Sequence, residues 1–191
     1  MSHFPQIPDL DLHALFTRFH QRGILPLLEY HDAILREDSE LTIAERELIA
    51  AYVSSINGCH YCFSAHRDHA RAWGIDPAVF GDLHIDPDHP AIAERMRPVL
   101  ALARRLTLSP AGVTMADVQP VYDAGFSEEG LFDILSVTAL YNFMNRMLEG
   151  AGIKQHKTQV QMSDDMRRRF RYRNLWRMFT RAAGGSGSGG T

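Results

Sequence analysis

Residues 45–66 read ERELIAAYVSSINGCHYCFSAH, and this stretch decides the fold. An apolar segment with helical spacing runs up to Asn57 and Gly58, which interrupt one helix and can cap the next. The stretch therefore predicts two helices joined by a tight turn. Cys59 falls in the first turn of the second helix.

Helix start signals recur along the rest of the chain, whereas strand signals are nearly absent. The start signals are Thr42 with Glu45, Ser109 before Pro110, Thr114 with Asp117, and Ser127 with Glu128 and Glu129. The segments between them have apolar residues at helical spacing. We predict an all-α fold, a compact helical bundle, with helices at residues 11–21, 24–37, 43–56, 59–73, 90–107, 115–124, 128–149 and 164–181.

The length and composition fit one domain. A chain of 191 residues with 45% hydrophobic residues can bury a continuous core. We predict a single helical domain over residues 1–183, in which the loop 76–90 separates a half with the cysteines from a half used for packing and assembly. Residues 184–191, GGSGSGGT, have the composition of a flexible engineered linker and are left out of the fold.

Charge and hydropathy exclude several classes of function. A net charge of -3 creates no global field that would favour nucleic acid or an anionic membrane as the main partner. No stretch reaches about 18 uninterrupted apolar residues, and the beginning MSHFPQIPDLD lacks the basic and apolar regions of a secretory signal. We expect a cytoplasmic protein without nucleic-acid or membrane partners.

The chemistry is concentrated around Cys59 and Cys62, which are too close in sequence to act as a structural cross-link. The start of a helix favours a thiolate, and CxxC pairs are a known setting for a lowered thiol pKa. At about 100° per residue, both cysteines share one narrow face with His66 and His69. His66 lies one turn after Cys62 and can accept or relay its proton. Glu47, on the preceding antiparallel helix, can reach His66 and complete a set of nucleophile, base and carboxylate.

Each of these residues also has a structural interpretation. A CxxC pair can hold zinc, but Cys59 and His69 would lie about 15 Å apart along one helix, so we expect no metal. Glu47 could be a surface carboxylate, but its apolar neighbours indicate a buried helix, in which it needs a partner. The residues interpreted as core or pocket lining, and left out of the catalytic set, are Tyr61, Phe63, Trp73 and His69.

The run MRRRFRYRNLWRMFTR at residues 166–181 carries seven arginines and could be a nucleic-acid arm. Its apolar residues favour another interpretation, because they recur at the spacing of an amphipathic helix. These residues are Tyr172, Leu175, Trp176 and Phe179. We expect this helix to dock onto its own or a neighbouring subunit, with nucleic acid or a membrane surface as the alternative.

The spacing of Glu47, Cys59, Cys62 and His66, with eleven, two and three residues between them, resembles the active-site pattern of a known superfamily. This is the carboxymuconolactone decarboxylase-like, alkylhydroperoxidase D-type superfamily, and especially its peroxidase-related branch. LTIAERELIA before the site, and LTLSPAGVTMADV and AGFSEEGLFDILSVTALYNFMNRMLEGAG after it, are also similar to that branch. The resemblance implies the compact helical fold of the alkylhydroperoxidase D-like type and an enzyme without a cofactor.

The resemblance also implies roles. Cys62 would be the peroxidatic cysteine, Cys59 would resolve its sulfenic acid into a Cys59–Cys62 disulfide, and His66 and Glu47 would relay protons. The implied partners are a hydroperoxide substrate, an external dithiol such as a thioredoxin-like or lipoyl reductant, and further copies of the chain in a homo-oligomer. His60 lies one place earlier than the additional relay histidine of the best-known pattern, a place that Tyr61 takes here.

Three other functions stay open. The superfamily includes decarboxylases that act on a lactone, but these generally lack the cysteine pair. A general dithiol–disulfide oxidoreductase would use every residue named above. A non-enzymatic oligomeric scaffold with a vestigial CxxC would keep intact thiols in the presence of peroxide.

Overall fold

The computed structural model describes residues 2–19, 21–153 and 162–176. The predicted all-α class is confirmed, since these residues form no strand beyond an isolated bridge between Phe80 and Ile85. No helix within these ranges is long and apolar enough to cross a membrane. The α-helices are α1 (Leu12–Phe19), α2 (Gln21–Arg36), α3 (Ile43–Ile56), α4 (His60–Ala72), α5 (Met96–Leu108), α6 (Met115–Asp123), α7 (Glu128–Ala151) and α8 (Asp164–Arg169).

The capping residues begin the helices where the sequence predicts. The Thr42 hydroxyl accepts from the N–H of Glu45, whose carboxylate accepts from the N–H of Thr42. The Ser127 hydroxyl likewise accepts from the N–H groups of Glu129 and Gly130 at the start of α7. These side chains satisfy N–H groups that have no partner inside the helix, and so fix where α3 and α7 begin.

The helix predicted at residues 90–107 begins only at Met96. The chain forms turns before that residue, in which the N–H of Ala91 donates to Nδ1 of His89 and the N–H of Ile92 donates to the His89 carbonyl. These local bonds use N–H groups at the start of the predicted helix. The turns and bends that continue to residue 95 are not visible in hydrophobic spacing, and so the predicted start is too early.

Helix α3 lies at the centre of the fold, where it packs against α2, α4, α5 and α7. Every residue from Arg46 to Ser54 is buried, so this helix has no polar face turned to solvent. Gly58 follows with φ +69°, a left-handed conformation that glycine adopts without strain, and the chain reverses into α4. The resulting antiparallel hairpin places Glu47 beside α4.

The helix predicted at residues 164–181 is broken. Helix α8 ends at Arg169, Phe170 is extended with φ -67° and ψ 134°, and the chain is helical again at residues 173–176. Positions 177–191, which include Phe179 and the predicted linker-like tail, lie outside the described residues. We refer to residues 162–176 as the C-terminal segment.

Side chains of α2 account for this break. The Asp32 carboxylate accepts from the N–H groups of Tyr172 at 2.7 Å and Arg173 at 2.9 Å, and Arg36 Nε donates to the Phe170 carbonyl at 3.3 Å. Backbone groups that bind α2 are not available for bonds along a continuous helix. The predicted docking onto the protein's own subunit is seen for three apolar residues that pack against its core, which are Tyr172, Leu175 and Trp176.

Candidate active site

The two cysteines lie at the start of α4. Cys59 is the N-cap residue and Cys62 is the third residue of the helix. Both are free thiols, Cys59 is fully buried, and Cys62 is 4% exposed. They are three residues apart at the start of one helix, and each thiol affects the ionisation of the other.

The two thiols titrate as one unit. The hydrogen bond from the Cys62 thiol lowers the pKa of Cys59 although burial opposes this. The same bond, burial and the charge of Cys59 raise the pKa of Cys62 well above its ordinary value. The first ionisation of the pair is therefore favoured and the second is strongly opposed. Of the two sulfurs, Cys59 is the one whose ionisation these interactions favour.

Glu47 is fully buried on α3 between Arg36 and His66. Its Oε1 lies 2.6 Å from Arg36 Nη1, and its Oε2 lies 2.5 Å from His66 Nδ1. Burial would raise the pKa of Glu47, but the charges of His66 and Arg36 outweigh it and hold the pKa well below its ordinary value. Glu47 is therefore a carboxylate at neutral pH.

The Glu47 carboxylate also determines how His66 can act. It requires a hydrogen on Nδ1 of His66, so in the neutral ring Nε2 carries the lone pair. The ring is held on its other side by Tyr141, whose ring centroid lies 4.2 Å away at an interplanar angle of 71°. Cys62 precedes His66 by one helical turn on the same side of α4. His66 can thus accept a proton through Nε2, and Glu47 would stabilise the imidazolium that results.

Aromatic rings of the C-terminal segment pack on two buried histidines near this ion pair. The centroid of Tyr172 lies 4.9 Å from that of His31, and the centroid of Phe170 lies 5.4 Å from that of His69. Burial lowers the pKa of His31 and the pKa of His69 to about 4. Both histidines are therefore neutral at pH 7 and add no cationic charge beside Glu47.

Two asparagines of α7 reach the turn that precedes the cysteines. Asn57 Nδ2 donates to Oδ1 of Asn142 at 3.1 Å and to Oδ1 of Asn145 at 3.0 Å. Asn145 Nδ2 donates to Ser54 Oγ at 3.0 Å, and the Asn145 amide acts to lower the pKa of Cys62, against the larger effects of Cys59 and burial. Helix α7, which belongs to the half predicted to serve packing and assembly, therefore also holds the turn before the cysteines.

The structure assembles the four predicted residues as two contacting pairs, Cys59 with Cys62 and Glu47 with His66. Two asparagines in an apolar stretch of α7, of which Asn145 is buried, were a usable signal, because a buried amide needs partners. Arg36 gave no such signal, since an arginine in the last turn of a helix commonly faces solvent. The neighbouring residues that sequence reasoning missed are Arg36, Tyr141, Asn145, Glu149 and Tyr172.

The other two histidines of α4 differ in position. His60, inside the CxxC, is exposed, whereas His69 is buried and its Nδ1 has no hydrogen-bond partner. In the described part of the chain, no group of three or more His, Cys, Asp and Glu side chains is placed to hold a metal ion.

Comparisons with known proteins bear on this site. The profile of the Carboxymuconolactone decarboxylase family matches residues 26–86, which contain both cysteines, Glu47 and His66. No curated protein matches the chain. A similar solved structure is an uncharacterized peroxidase-related protein from Silicibacter sp. TM1040, which is 29% identical with a TM-score of 0.64 over 69% of each chain.

Two further solved structures are similar. One is described as an alkylhydroperoxidase AhpD core, an uncharacterized peroxidase-related protein from Ralstonia eutropha JMP134. It is 30% identical with a TM-score of 0.64, over 69% of this chain and 70% of that one. The other, a protein of unknown function from Agrobacterium tumefaciens, is 21% identical with a TM-score of 0.64 over 78% of this chain and 98% of that one. At that identity it shows a shared fold alone.

Proposed function

Because the chain belongs to the carboxymuconolactone decarboxylase-like, alkylhydroperoxidase D-type superfamily, we propose that it is a thiol-dependent peroxidase. It reduces hydroperoxides through a reversible Cys59–Cys62 disulfide. One observation carries the proposal: two buried free thiols stand at the start of α4, and the Glu47–His66 pair lies one turn further on.

The first step oxidises Cys62. Its proton moves to Nε2 of His66, its sulfur attacks the terminal oxygen of the hydroperoxide, and the O–O bond breaks. Cys62 becomes a sulfenic acid, and the departing alkoxide takes the proton from His66 and leaves as an alcohol. The small exposure of Cys62 and its place one turn before His66 support this assignment.

The second step forms the disulfide. The Cys59 sulfur attacks the Cys62 sulfur, and the sulfenic hydroxyl leaves as water with the proton of the Cys59 thiol. An external dithiol, such as a thioredoxin-like or lipoyl protein, then supplies two electrons and two protons and becomes a disulfide itself. The cycle needs no metal or organic cofactor.

One observation favours a second candidate, a general dithiol–disulfide oxidoreductase. The pKa of Cys59 is lowered by the hydrogen bond from Cys62, and Cys59 stands at a helix N-terminus, where a thiolate is favoured. Such a thiolate would attack a disulfide substrate directly. The second-order rate constants for peroxide and for a model disulfide separate the two functions.

The proposal includes assembly as a homo-oligomer. Large apolar side chains on α5, α6 and α7 face solvent in the single chain, which is costly in water. The most exposed of them are Leu108 (58%), Met115 (62%) and Phe132 (67%). Light scattering should give a mass above that of one chain, and a monomer at micromolar concentration would contradict this part of the proposal.

The decisive experiment counts free thiols by mass spectrometry before and after a single molar equivalent of hydroperoxide, with and without a dithiol reductant. A peroxidase loses both thiols without reductant and recovers them with it. Thiols that do not react with peroxide but exchange with a model disulfide indicate the second candidate. Thiols inert to both reagents indicate a scaffold with a vestigial CxxC.

A further inference from the structure

The Glu47 carboxylate is shared between two partners, and each partner binds one of its oxygens. Arg36 Nη1 lies 2.6 Å from Oε1, and His66 Nδ1 lies 2.5 Å from Oε2. Neither the Arg36 nor the Glu47 side chain is exposed to solvent, so water does not screen the charges. Because a guanidinium cannot lose its proton, Arg36 places a permanent positive charge beside the carboxylate.

Arg36 is held in place by contacts on both sides. Its Nη1 also donates to the Leu35 carbonyl of its own helix at 3.0 Å. Its Nε donates to the Phe170 carbonyl of the C-terminal segment at 3.3 Å, and its guanidinium carbon lies 5.2 Å from the ring centroid of Tyr172. The guanidinium thus has little freedom to move, and the carboxylate that binds it keeps Oε2 directed at His66.

The charges of this group oppose each other at His66. A carboxylate paired with a histidine alone favours the imidazolium, because the opposite charge lies within hydrogen-bond distance. Arg36 already balances the charge of Glu47, so a proton added to His66 would leave a net positive charge in a buried site. The ring can therefore receive a proton from a donor without keeping it.

A proton carrier needs this balance. In the proposed reaction His66 takes the proton of Cys62 and then gives it to the departing alkoxide, which is fastest when neither form of the ring is strongly preferred. We propose that Arg36 is a positioning residue that acts through Glu47: it fixes the carboxylate beside His66 and keeps the ring from holding a proton permanently. The inference deepens the proposed function and rests on it only for the role of His66 as proton acceptor.

Other charged side chains of α2 and α3 are engaged elsewhere. Asp32 is paired with Arg173, whose Nε lies 2.8 Å from its Oδ2. Arg46 donates to two backbone carbonyls near the end of α2, at 3.1 and 2.8 Å. His31 is neutral at pH 7, because burial lowers its pKa to about 4. Among the described contacts of these two helices, Arg36 is therefore the cation that balances the carboxylate.

The groups that α4, α7 and the C-terminal segment place near the His66 ring do not replace this cation. Burial lowers the pKa of His69 to about 4, so that ring is neutral at pH 7. Burial raises the pKa values of Tyr141 and Tyr172, and both hydroxyls keep their protons. The pKa of Cys62 is raised by the other thiol and by burial, and that other thiol stands a further turn away at the N-cap. The response of the His66 ring to pH thus depends on the carboxylate and the guanidinium.

The test is an NMR titration of the reduced protein with ¹⁵N-labelled histidine, in which the ring nitrogens of His66 report where each proton resides. Arg36→Gln removes the charge and keeps a hydrogen-bond donor, and should raise the His66 midpoint by about one pH unit or more. Arg36→Lys keeps the charge and should stay close to the parent. Arg46→Met, which removes another buried arginine, is the matched control and should shift the midpoint by less than half as much as Arg36→Gln.

An unchanged midpoint in Arg36→Gln, with amide spectra that show it folded, overturns the proposal. A rise in Arg36→Lys as large as that in Arg36→Gln also overturns it, because the charge would then not be the cause. Arg36→Met carries the same expectation as Arg36→Gln and takes its place if that variant is unfolded.

The titration uses no peroxide, so its result stands even if the peroxidase assay fails. If the parent does react with peroxide, oxidation of Cys62 in Arg36→Gln should be severalfold slower at pH 7 and should approach the parental rate as the pH rises. Arg36→Lys should keep the parental pH profile. A deficit in Arg36→Gln that is the same at every pH would indicate a structural role alone and contradict the proposal.

Discussion

The α3–α4 hairpin and the C-terminal segment both meet at the buried ion pair of Arg36 and Glu47, but they are held in place by different kinds of contact. In the hairpin, Glu47 and His66 are 19 residues apart in sequence and are joined by one tight turn. The C-terminal segment reaches the site from 140 residues away, through the bond between Tyr172 and Asp32. The hairpin carries the groups proposed to react, and the segment contributes to their surroundings.

The comparison shows that reactivity and environment come from different parts of the sequence. Arg36 links the two, since it bonds Glu47 of the hairpin and the Phe170 carbonyl of the segment. A change in the hairpin should therefore affect chemistry most, and a change in the segment should affect stability and protonation most. The predictions below test this division in decreasing order of effect.

The largest effect is expected at the hairpin cysteines. Cys62→Ser should abolish peroxide consumption, because it removes the attacking sulfur. Cys59→Ser should still allow one oxidation and leave a sulfenic acid on Cys62 that a trapping reagent labels, as read by mass spectrometry of the peptide. Label on Cys59 in the Cys62→Ser protein would reverse the two roles.

Glu47→Gln should lower the rate of Cys62 oxidation by about 10² or more, the usual worth of a positioned proton-transfer group. The variant should also be less stable by about 3–5 kcal/mol, because Arg36 is then a buried charge without a counterion. Stopped-flow oxidation and urea unfolding measure the two effects. Glu94→Gln, on the exposed surface, is the control.

The double variant Glu47→Gln, Arg36→Met separates the two effects. It should recover much of the lost stability but none of the rate, since the charge without a counterion is gone while the carboxylate is still missing. If Glu47→Gln reacts at the parental rate from neutral to alkaline pH, Glu47 is structural and proton transfer ends at His66.

The two histidines on which rings of the C-terminal segment pack should make the stability of the protein depend on pH. The pKa values of His31 and His69 are lowered to about 4 in the folded protein, against 6.5 for the unfolded chain. Between these values the unfolded state binds more protons, so stability falls as pH drops from 6.5 toward 4, by up to about 3 kcal/mol for each histidine. His31→Gln and His69→Gln should each flatten this slope in urea titrations. A parental slope in both would show that the two rings are accessible to protons.

A smaller effect is expected where the segment is attached to α2. Asp32→Asn keeps the shape but loses an acceptor for the N–H groups of Tyr172 and Arg173, which should cost about 1–3 kcal/mol of stability. Peroxide oxidation should slow by less than in Glu47→Gln. Asp165→Asn removes an exposed ion pair with Arg169 on α8 and serves as the control. Equal stability of the two variants would mean that the Asp32 contacts contribute little.

The same division explains how much the sequence could predict. Local features of the sequence, namely residue spacing and the burial of an apolar helix, predict the hairpin. They also predict its turn at Gly58 and the contact of Glu47 with His66. They do not predict the break at Phe170, because it depends on Asp32, which is far away in sequence. The partners of Glu47 were predicted only in part. His66 was expected, whereas Arg36 was not, because nothing near Arg36 in sequence indicates that its side chain is buried.

The bonds between Asp32 and the backbone of Tyr172 and Arg173 have one more consequence. These two amide hydrogens are held by a carboxylate of another helix, not by a carbonyl of their own. They become free to exchange with deuterated water whenever the segment separates from α2, even if every helix stays intact. Their exchange rates therefore measure the free energy of that separation directly, without a label or a mutation. If binding of the reductant requires the segment to move, these are the first amides whose protection will fall.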